Sequence, residues 1–121
     1  MDMSDCVFCN ILAKTAPADL LYEDDEVIVI RDIRPVAPVH LLIIPRRHIA
    51  SLNELQPEDA ALAGHLLLTV QKVARQFIGE NASYRTVINT GAASGQTVFH
   101  LHVHIIAGRP FVSSLFTRGL S

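Results

Sequence analysis

The stretch Val98–Pro110, "VFHLHVHIIAGRP", decides which fold the chain can adopt. Its histidines alternate with apolar residues, and successive side chains of a strand point to opposite faces. One face would therefore carry a row of three imidazoles, from His100, His102 and His104. The other face would meet the core with Leu101, Val103 and Ile105. The stretch thus predicts a strand, Val98–Gly108, that is buried on one face and carries the three imidazoles, as candidate functional groups, on the other.

The rest of the chain predicts an α+β fold, because strands and helices do not alternate regularly. The expected elements before that strand are a short helix near Cys6–Ala13, a hairpin over Leu20–Asp32 with its turn at Glu23–Glu26, a strand His40–Pro45, a long helix from Pro57 to Gly79, and a strand Tyr84–Asn89. Steps of three and four residues define the buried helix face: Leu62, Leu66, Val70, Val73 and Phe77. We expect an antiparallel sheet of about five strands with one long and one short helix.

Length and composition fit one domain over residues 1–121, with residues 108–121 as a C-terminal tail whose Phe111, Leu115 and Phe116 would pack on the domain or a partner subunit. The net charge of -2 indicates no basic face for a nucleic-acid polymer. Neither a signal peptide nor a membrane span is apparent. We expect a cytoplasmic protein without a membrane partner, in which Cys6 and Cys9 are reduced thiols or metal ligands.

Three uses of the histidine row are open at this point. It could be a polar solvent-facing surface, a metal site, or a catalytic row in which a neutral imidazole attacks an electrophile. The first and third imidazoles lie about 13 Å apart along a strand, so the three do not fit a single metal ion. The glycine-rich stretch "NTGAASGQT", residues 89–97, comes just before the row. Such a loop can cradle phosphate, and this favours a histidine nucleophile acting on phosphorus.

Four stretches together resemble the histidine triad (HIT) family of nucleotide hydrolases and transferases. They are "CVFCNI", "DIRPVAPVHLLIIPRRHI", "VINTGAASGQT" and "HLHVHII", and they cover most of the chain in the family's order. The branch that the chain resembles most is the nucleotide-binding branch that hydrolyses purine nucleoside phosphoramidates. The resemblance implies the HIT-like fold and a homodimer.

The resemblance also implies roles for particular residues. His102 would be the nucleophile, and His104 would contact the phosphate and assist the leaving group. Asp32 would bind the ribose hydroxyls, although from its surroundings alone it would be a turn or cap residue. The remaining nucleotide-binding positions would lie in the phosphate loop: Asn89, Gly95, Gln96 and Thr97. Thr97 stands where the family often has serine, which bears on substrate preference.

Zinc-bearing relatives imply a second group of residues. A Cys-x-x-Cys pair by itself fits either a metal site or a redox site. In those relatives it is completed by two histidines, and the matching set here is Cys6, Cys9, His48 and His100. Two thiolates and two imidazoles suit tetrahedral zinc with a closed, structural coordination sphere. Zinc is the only cofactor that we expect.

The implied reaction is hydrolysis of the P–N bond of a purine nucleoside 5'-phosphoramidate, such as an AMP-amine conjugate, through a nucleotidyl-histidine. One alternative is a dinucleoside polyphosphate hydrolase or nucleotidyltransferase that uses the same nucleophile. Another is a nucleotide-binding or scaffold protein with little turnover. Among the other polar residues, we expect His40 to make a satisfied core hydrogen bond and His65, Arg46 and Arg47 to have structural or surface roles.

Overall fold

The computed structural model describes residues 5–108 of the chain. Its helices and strands within that range are α1 (Val7–Leu12), β1 (Leu20–Glu23), β2 (Val27–Arg31), β3 (Val39–Pro45), α2 (Ala60–Phe77), β4 (Arg85–Val87) and β5 (Val103–Ala107). The strands form one antiparallel sheet in the order β1-β2-β3-β5-β4. The predicted α+β class and five-stranded antiparallel sheet with one long and one short helix are confirmed. The tail after Gly108, which contains Phe111, Leu115 and Phe116, lies outside the described range.

The hairpin turn between β1 and β2 is built by one carboxylate. Asp24 Oδ1 accepts hydrogen bonds from the backbone N–H groups of Glu26 at 2.8 Å and Val27 at 2.9 Å. An aspartate that bonds the backbone two residues on replaces a regular turn bond and reverses the chain. The predicted turn Glu23–Glu26 is therefore confirmed.

The long helix begins later than the sequence predicts. Pro57–Asp59 form a 3-10 turn, and α2 starts at Ala60. The Asp59 carboxylate accepts a hydrogen bond from the Gln56 backbone N–H at 2.8 Å and so caps this first turn. The predicted inner face does meet the core: Leu66, Val70 and Val73 are buried, with Leu62 and Phe77 packed beside them. Among the described residues, no helix is long and apolar enough to cross a membrane.

The sheet has a different neighbour on each face. Val27 and Val29 of β2 pack in the core that includes α2, whereas Ile28 and Ile30 pack with Cys6 and Phe8 around α1. The same alternation continues in the last segment, where Leu101, Val103 and Ile105 join the α2 core as predicted. The histidine side chains are consequently directed toward the side of α1.

The predicted strand Val98–Gly108 is wrong in its first half, because β5 begins only at Val103. The backbone N–H of Leu101 donates to the carbonyl oxygen of Ile49 at 2.6 Å, so this part of the chain is held by the loop after β3. β4 ends at Val87, which pairs with His104, and therefore offers no ladder to residues 98–102. His100 and His102 lie in irregular backbone, yet both are buried, as is His104. The predicted strand Tyr84–Asn89 is likewise shorter, at Arg85–Val87.

Candidate active site and metal centre

The ring of His102 has a defined hydrogen-bonding state. Its Nδ1 lies 2.7 Å from the backbone oxygen of His100. A carbonyl oxygen can only accept, so Nδ1 of His102 carries the proton. In the neutral ring the lone pair is therefore on Nε2. An imidazole held in this tautomer presents a nucleophilic nitrogen, which is the state that attack on phosphorus requires.

His104 is bonded to a fourth histidine, His40. The Nδ1 atom of His40 accepts a hydrogen bond from the backbone N–H of Val36 at 3.1 Å, so a neutral His40 carries its proton on Nε2. That Nε2 lies 2.8 Å from Nδ1 of His104 and 3.3 Å from a carboxylate oxygen of Asp32. Burial lowers the pKa of His40, against the neighbouring Asp32 charge, which raises it. We conclude that Nδ1 of His104 accepts a hydrogen bond from the Nε2–H group of His40, so a neutral His104 carries its own proton on Nε2.

His102 and His104 therefore have opposite hydrogen-bonding roles at the same ring atom, Nε2. His102 has an acceptor at Nε2 and His104 has a donor at Nε2. Their ring centroids are 5.1 Å apart, and both side chains are buried. One ring can attack while the other supplies a proton, so the pair is suited to general acid catalysis coupled to nucleophilic attack. The prediction that His40 makes a core hydrogen bond is confirmed by its bond from the Val36 N–H group. The bond from His40 to His104 was not predicted.

An open cleft of about 610 Å³ is lined by Phe8, which contacts the His102 ring, and by Asp32, which contacts His40. Its apolar wall includes Val7, Phe8, Ile11 and Ile33, and its polar lining includes Asp32 and Thr97. Clefts of this size with apolar walls and a few polar groups are typical of small-molecule sites. Phe8 connects the cleft to His102, because its ring lies edge-on to that imidazole with centroids 5.0 Å apart.

Asp32 has both a local structural bond and a place in the cleft. Its Oδ1 accepts the backbone N–H of Arg34 at 2.8 Å, and its side chain also lines the cleft. The turn role and the ligand-binding role considered from the sequence are thus compatible, because the second oxygen, Oδ2, faces His40 and the site.

The glycine-rich loop is closed by the side chain of Gln96. Its Oε1 accepts the backbone N–H of Gly91 at 2.9 Å, and its Nε2 donates to the carbonyl oxygens of Ala50 and Val98 at 2.8 and 3.0 Å. Gly91 and Gly95 flank a short 3-10 turn with φ of 90° and 106°, which glycine adopts without strain. Gln96 therefore shapes the loop, whereas Thr97 is exposed to the cleft. Asn89, at the start of this stretch, is buried.

The other predicted constellation comes together at the N-terminal end of α1. Cys6, Cys9, His48 and His100 place one donor atom each within 4.8 Å of one another. The Nδ1 atom of His100 is 3.5 Å from each sulfur, and Nδ1 of His48 is 3.1 Å from Sγ of Cys9. Donor atoms of a tetrahedral zinc ion with two sulfurs and two nitrogens lie about 3.3 to 3.8 Å apart. The cluster has the size and the donor set of such a site.

The protonation state of His100 fits a metal ligand, whereas the Cys9 thiol would have to lose its proton on metal binding. The Nε2 atom of His100 donates to the carbonyl oxygen of Pro45 at 2.8 Å, so Nδ1 is the nitrogen that bears the lone pair. Burial lowers the pKa of His100 to about 4, and the nearby His48 and His102 rings act in the same direction. Burial, with the contact to Cys6, raises the pKa of Cys9 to about 11. A metal ion would replace the thiol protons.

Sequence reasoning missed Phe8, which lies between the two cysteines and contacts two histidine rings. An aromatic residue inside the Cys-x-x-Cys turn was the available signal.

The residues expected to be structural have polar partners: Arg46 bonds Glu23 and the Asp24 carbonyl, Arg47 pairs with Asp59, and His65 contacts Asp24. None of these three lines the 610 Å³ cleft.

Comparison with known proteins agrees with this architecture. The HIT domain family model matches residues 13–111. An uncharacterized HIT-like protein of Synechococcus elongatus is 53% identical over 105 residues, which are 87% of this chain and 91% of that protein. A HIT family hydrolase from Legionella pneumophila superposes with a TM-score of 0.87 at 38% identity, over 90% of this chain and 97% of the other. A Zn-bound histidine triad family protein from Mycobacterium smegmatis gives 0.76 at 36% identity, over 99% and 86%. The chain therefore belongs to the HIT domain family.

Proposed function

We propose that this HIT protein hydrolyses the P–N bond of purine nucleoside 5'-phosphoramidates of the AMP-amine type. The observation that carries the proposal is the complementary pair of imidazoles. Nε2 of His102 bears a lone pair, and Nε2 of His104 bears a proton. Attack on a phosphoramidate needs both, because an amine leaves only when it takes up a proton. The purine preference follows from the resemblance to the phosphoramidase branch.

The reaction would proceed in two steps. In the first, Nε2 of His102 forms a bond to the α-phosphorus and the P–N bond breaks. His104, which would be charged by one proton taken up with the substrate, gives its Nε2 proton to the departing amine and is left as a neutral ring. In the second, water attacks the nucleotidyl-histidine while His104 takes a proton from that water. The P–N bond to His102 then breaks, and AMP and both imidazoles are released in their starting states. The His40 hydrogen bond to His104 would hold that ring in its donor tautomer between turnovers.

The cleft supports a nucleoside as the bound group. Its apolar wall, with Phe8 and Ile33, suits a purine base. Asp32 lines the same cleft and would accept hydrogen bonds from the ribose diol. The phosphate would lie toward Thr97 and the loop that Gln96 closes, with Asn89 and Gly95 completing the nucleotide site. In this proposal Gln96 is a positioning residue, since its side chain bonds the loop itself.

Zinc at the cluster of Cys6, Cys9, His48 and His100 is part of the proposal. The donor distances support it. The Zn-bound relative from Mycobacterium smegmatis also supports it, since its superposition covers 99% of this chain. The role would be structural, because four protein ligands close a tetrahedral ion and leave no position for substrate. Bound zinc would fasten α1 to the segment that carries the nucleophile.

A homodimer and a cytoplasmic location complete the proposal. β4 is one of the two edge strands of the sheet, and Leu67 and Leu68 of α2 are 63% and 65% exposed. An edge strand beside an apolar helix face can pair with a second copy about a two-fold axis. Sedimentation analysis of wild type and Leu68→Glu tests this, and a wild type that sediments as a monomer would contradict it. Free cysteines fit a reducing compartment.

One assay tests the activity. Wild-type protein and His102→Asn are each incubated with an AMP-amine conjugate and with a diadenosine polyphosphate, and product AMP is measured. We expect wild type to hydrolyse the AMP-amine preferentially and His102→Asn to lose on the order of a thousandfold or more in rate. Preference for the diadenosine polyphosphate would instead identify a dinucleoside polyphosphate hydrolase. Binding of AMP without turnover of either compound would identify a nucleotide-binding protein.

A further inference from the structure

One turn of helix contributes to both the metal cluster and the nucleotide cleft. Cys6 caps α1 and Cys9 lies within it, and both belong to the metal cluster. The two residues between them, Val7 and Phe8, line the cleft, as does Ile11 on the next turn. Consecutive residues of one short segment thus face two different sites. Any displacement of this turn changes both sites together.

Phe8 extends this connection to the nucleophile. Its ring is edge-on to His100 at 5.9 Å between centroids and edge-on to His102 at 5.0 Å. His100 belongs to the metal cluster, and its backbone oxygen holds Nδ1 of His102 at 2.7 Å. The metal cluster therefore contacts the catalytic imidazole by two routes, one through an aromatic ring and one through a backbone hydrogen bond.

α1 has little stability of its own. It has six residues, no acidic residue in its first turn and no basic residue in its last. Helices shorter than about 12 residues are marginal in water without tertiary contacts. Phe8 is buried against the sheet, and Ile11 and Leu12 pack partly against the same core. At its N-terminal end the helix is joined to His48 and His100 through its two cysteines. A ligand that binds these cysteines would therefore change the fraction of molecules in which α1 is packed on the sheet and lines the cleft.

We propose that metal binding at this cluster and nucleotide binding in the cleft are positively coupled through α1 and Phe8. The inference rests on the proposed nucleotide-binding function. Occupation of the cluster holds α1 against the sheet, so the nucleotide meets a preformed wall and does not have to order it. Coupling between binding sites is reciprocal, so the nucleotide strengthens metal binding by the same factor.

The experiment measures two affinities in a cycle. AMP binding is titrated by calorimetry to zinc-loaded protein and to the same protein stripped with a chelator. Zinc affinity is measured against a competing chelator with and without saturating AMP. We expect AMP to bind the zinc-loaded form about fivefold or more tightly, and zinc affinity to rise by the same factor when AMP is present.

Hydrogen exchange locates the effect. Removal of zinc should accelerate exchange in residues 7–12 while the core of α2, residues 66–74, keeps its protection, and AMP should restore protection to residues 7–12. General loss of protection on removing zinc would overturn the proposal, because the coupling would then be global unfolding and not a property of α1.

A pair of phenylalanine variants supplies the control. Phe8→Leu keeps an apolar side chain and both cysteines, but loses the edge-on contacts, so the ratio of AMP affinities with and without zinc should fall toward one. Phe77→Leu makes the same change on α2, outside both sites, and should leave that ratio unchanged. Equal AMP affinity of both wild-type forms would overturn the coupling and leave the proposed function intact. Absence of AMP binding by the zinc-loaded form would count against the proposed function itself.

Discussion

The backbone oxygen of His100 accepts a hydrogen bond from Nδ1 of His102 at 2.7 Å, so one histidine of the row sets the tautomer of the next. His100 is itself oriented by the carbonyl oxygen of Pro45, at 2.8 Å from its Nε2. A chain of two backbone acceptors therefore directs Nδ1 of His100 to the cysteines and leaves the lone pair of His102 on Nε2.

Replacement of His104 should affect substrates according to their leaving groups. In His104→Ala we expect the first-turnover release of an alkylamine to slow by about 10² to 10⁴-fold, because the amine loses its proton donor. A nitrophenolate leaves without a proton, so its release from the corresponding AMP ester should slow far less. Rapid-quench measurement of both substrates decides the matter. Equal slowing of the two would show that His104 acts on binding or position and is not the acid.

Asp32 should matter only for substrates with ribose hydroxyls. Asp32→Asn keeps an oxygen for the Arg34 N–H but loses the charge that would accept from the diol. Hydrogen bonds to a charged group contribute about 1.5 to 3 kcal/mol, so kcat/KM for an AMP-amine should fall about tenfold or more. A 2',3'-dideoxy substrate should be equally slow with both proteins. A similar loss of kcat/KM on both substrates would show that Asp32 acts through its contacts with His40 and the Arg34 N–H, and not through the ribose.

Metal analysis of protein purified without added zinc should find about one equivalent per chain. Chelation should lower Tm by several degrees, because the link between α1 and His48 and His100 is lost. Cys9→Ser should bind less metal and unfold at a lower temperature than wild type, with no further loss on chelation. Less than about a tenth of an equivalent in fully active wild-type protein would rule out the zinc site.

The Asp24 carboxylate should make stability depend on pH in the acid range. Burial would raise its pKa, but hydrogen bonds from the Glu26 and Val27 N–H groups, Tyr22 and His65 outweigh this and hold the pKa well below its usual range. Since the folded-state pKa is the lower one, the stabilisation is complete above the unfolded value of about 3.9 and is lost as pH falls below it.

Asp24→Asn should accordingly reduce the free energy of unfolding by about 1 to 3 kcal/mol at pH 7. The difference from wild type should shrink as the pH is lowered from about 4 toward 2. Urea unfolding across this range provides the measurement, with the exposed neighbour Asp25→Asn as a control that changes stability by less than about 0.5 kcal/mol. A difference that is constant with pH would show that the charge of Asp24 contributes nothing.

The alternation of polar and apolar residues in strands and the helical spacing of apolar residues by themselves predicted much of the fold. They placed Leu101, Val103 and Ile105 in one core and the histidines on the other side, predicted the acidic hairpin turn, and selected the inner face of α2 correctly. These features follow from side-chain geometry within a single element, which neighbouring residues specify. Each of the motifs that carried the family resemblance is also a short, local stretch of sequence.

Only the tertiary structure decided which groups complete the site. β5 starts at Val103 because the Leu101 N–H bonds to Ile49, 52 positions earlier in the numbering. The bond from His40 to His104 spans 64 positions, and the contact of Cys6 with His100 spans 94. No period in the sequence encodes such distances, since they depend on the strand order β3-β5 and on how α1 packs against the sheet. The contacts of Phe8 with His100, with His102 and with the cleft arise from that packing.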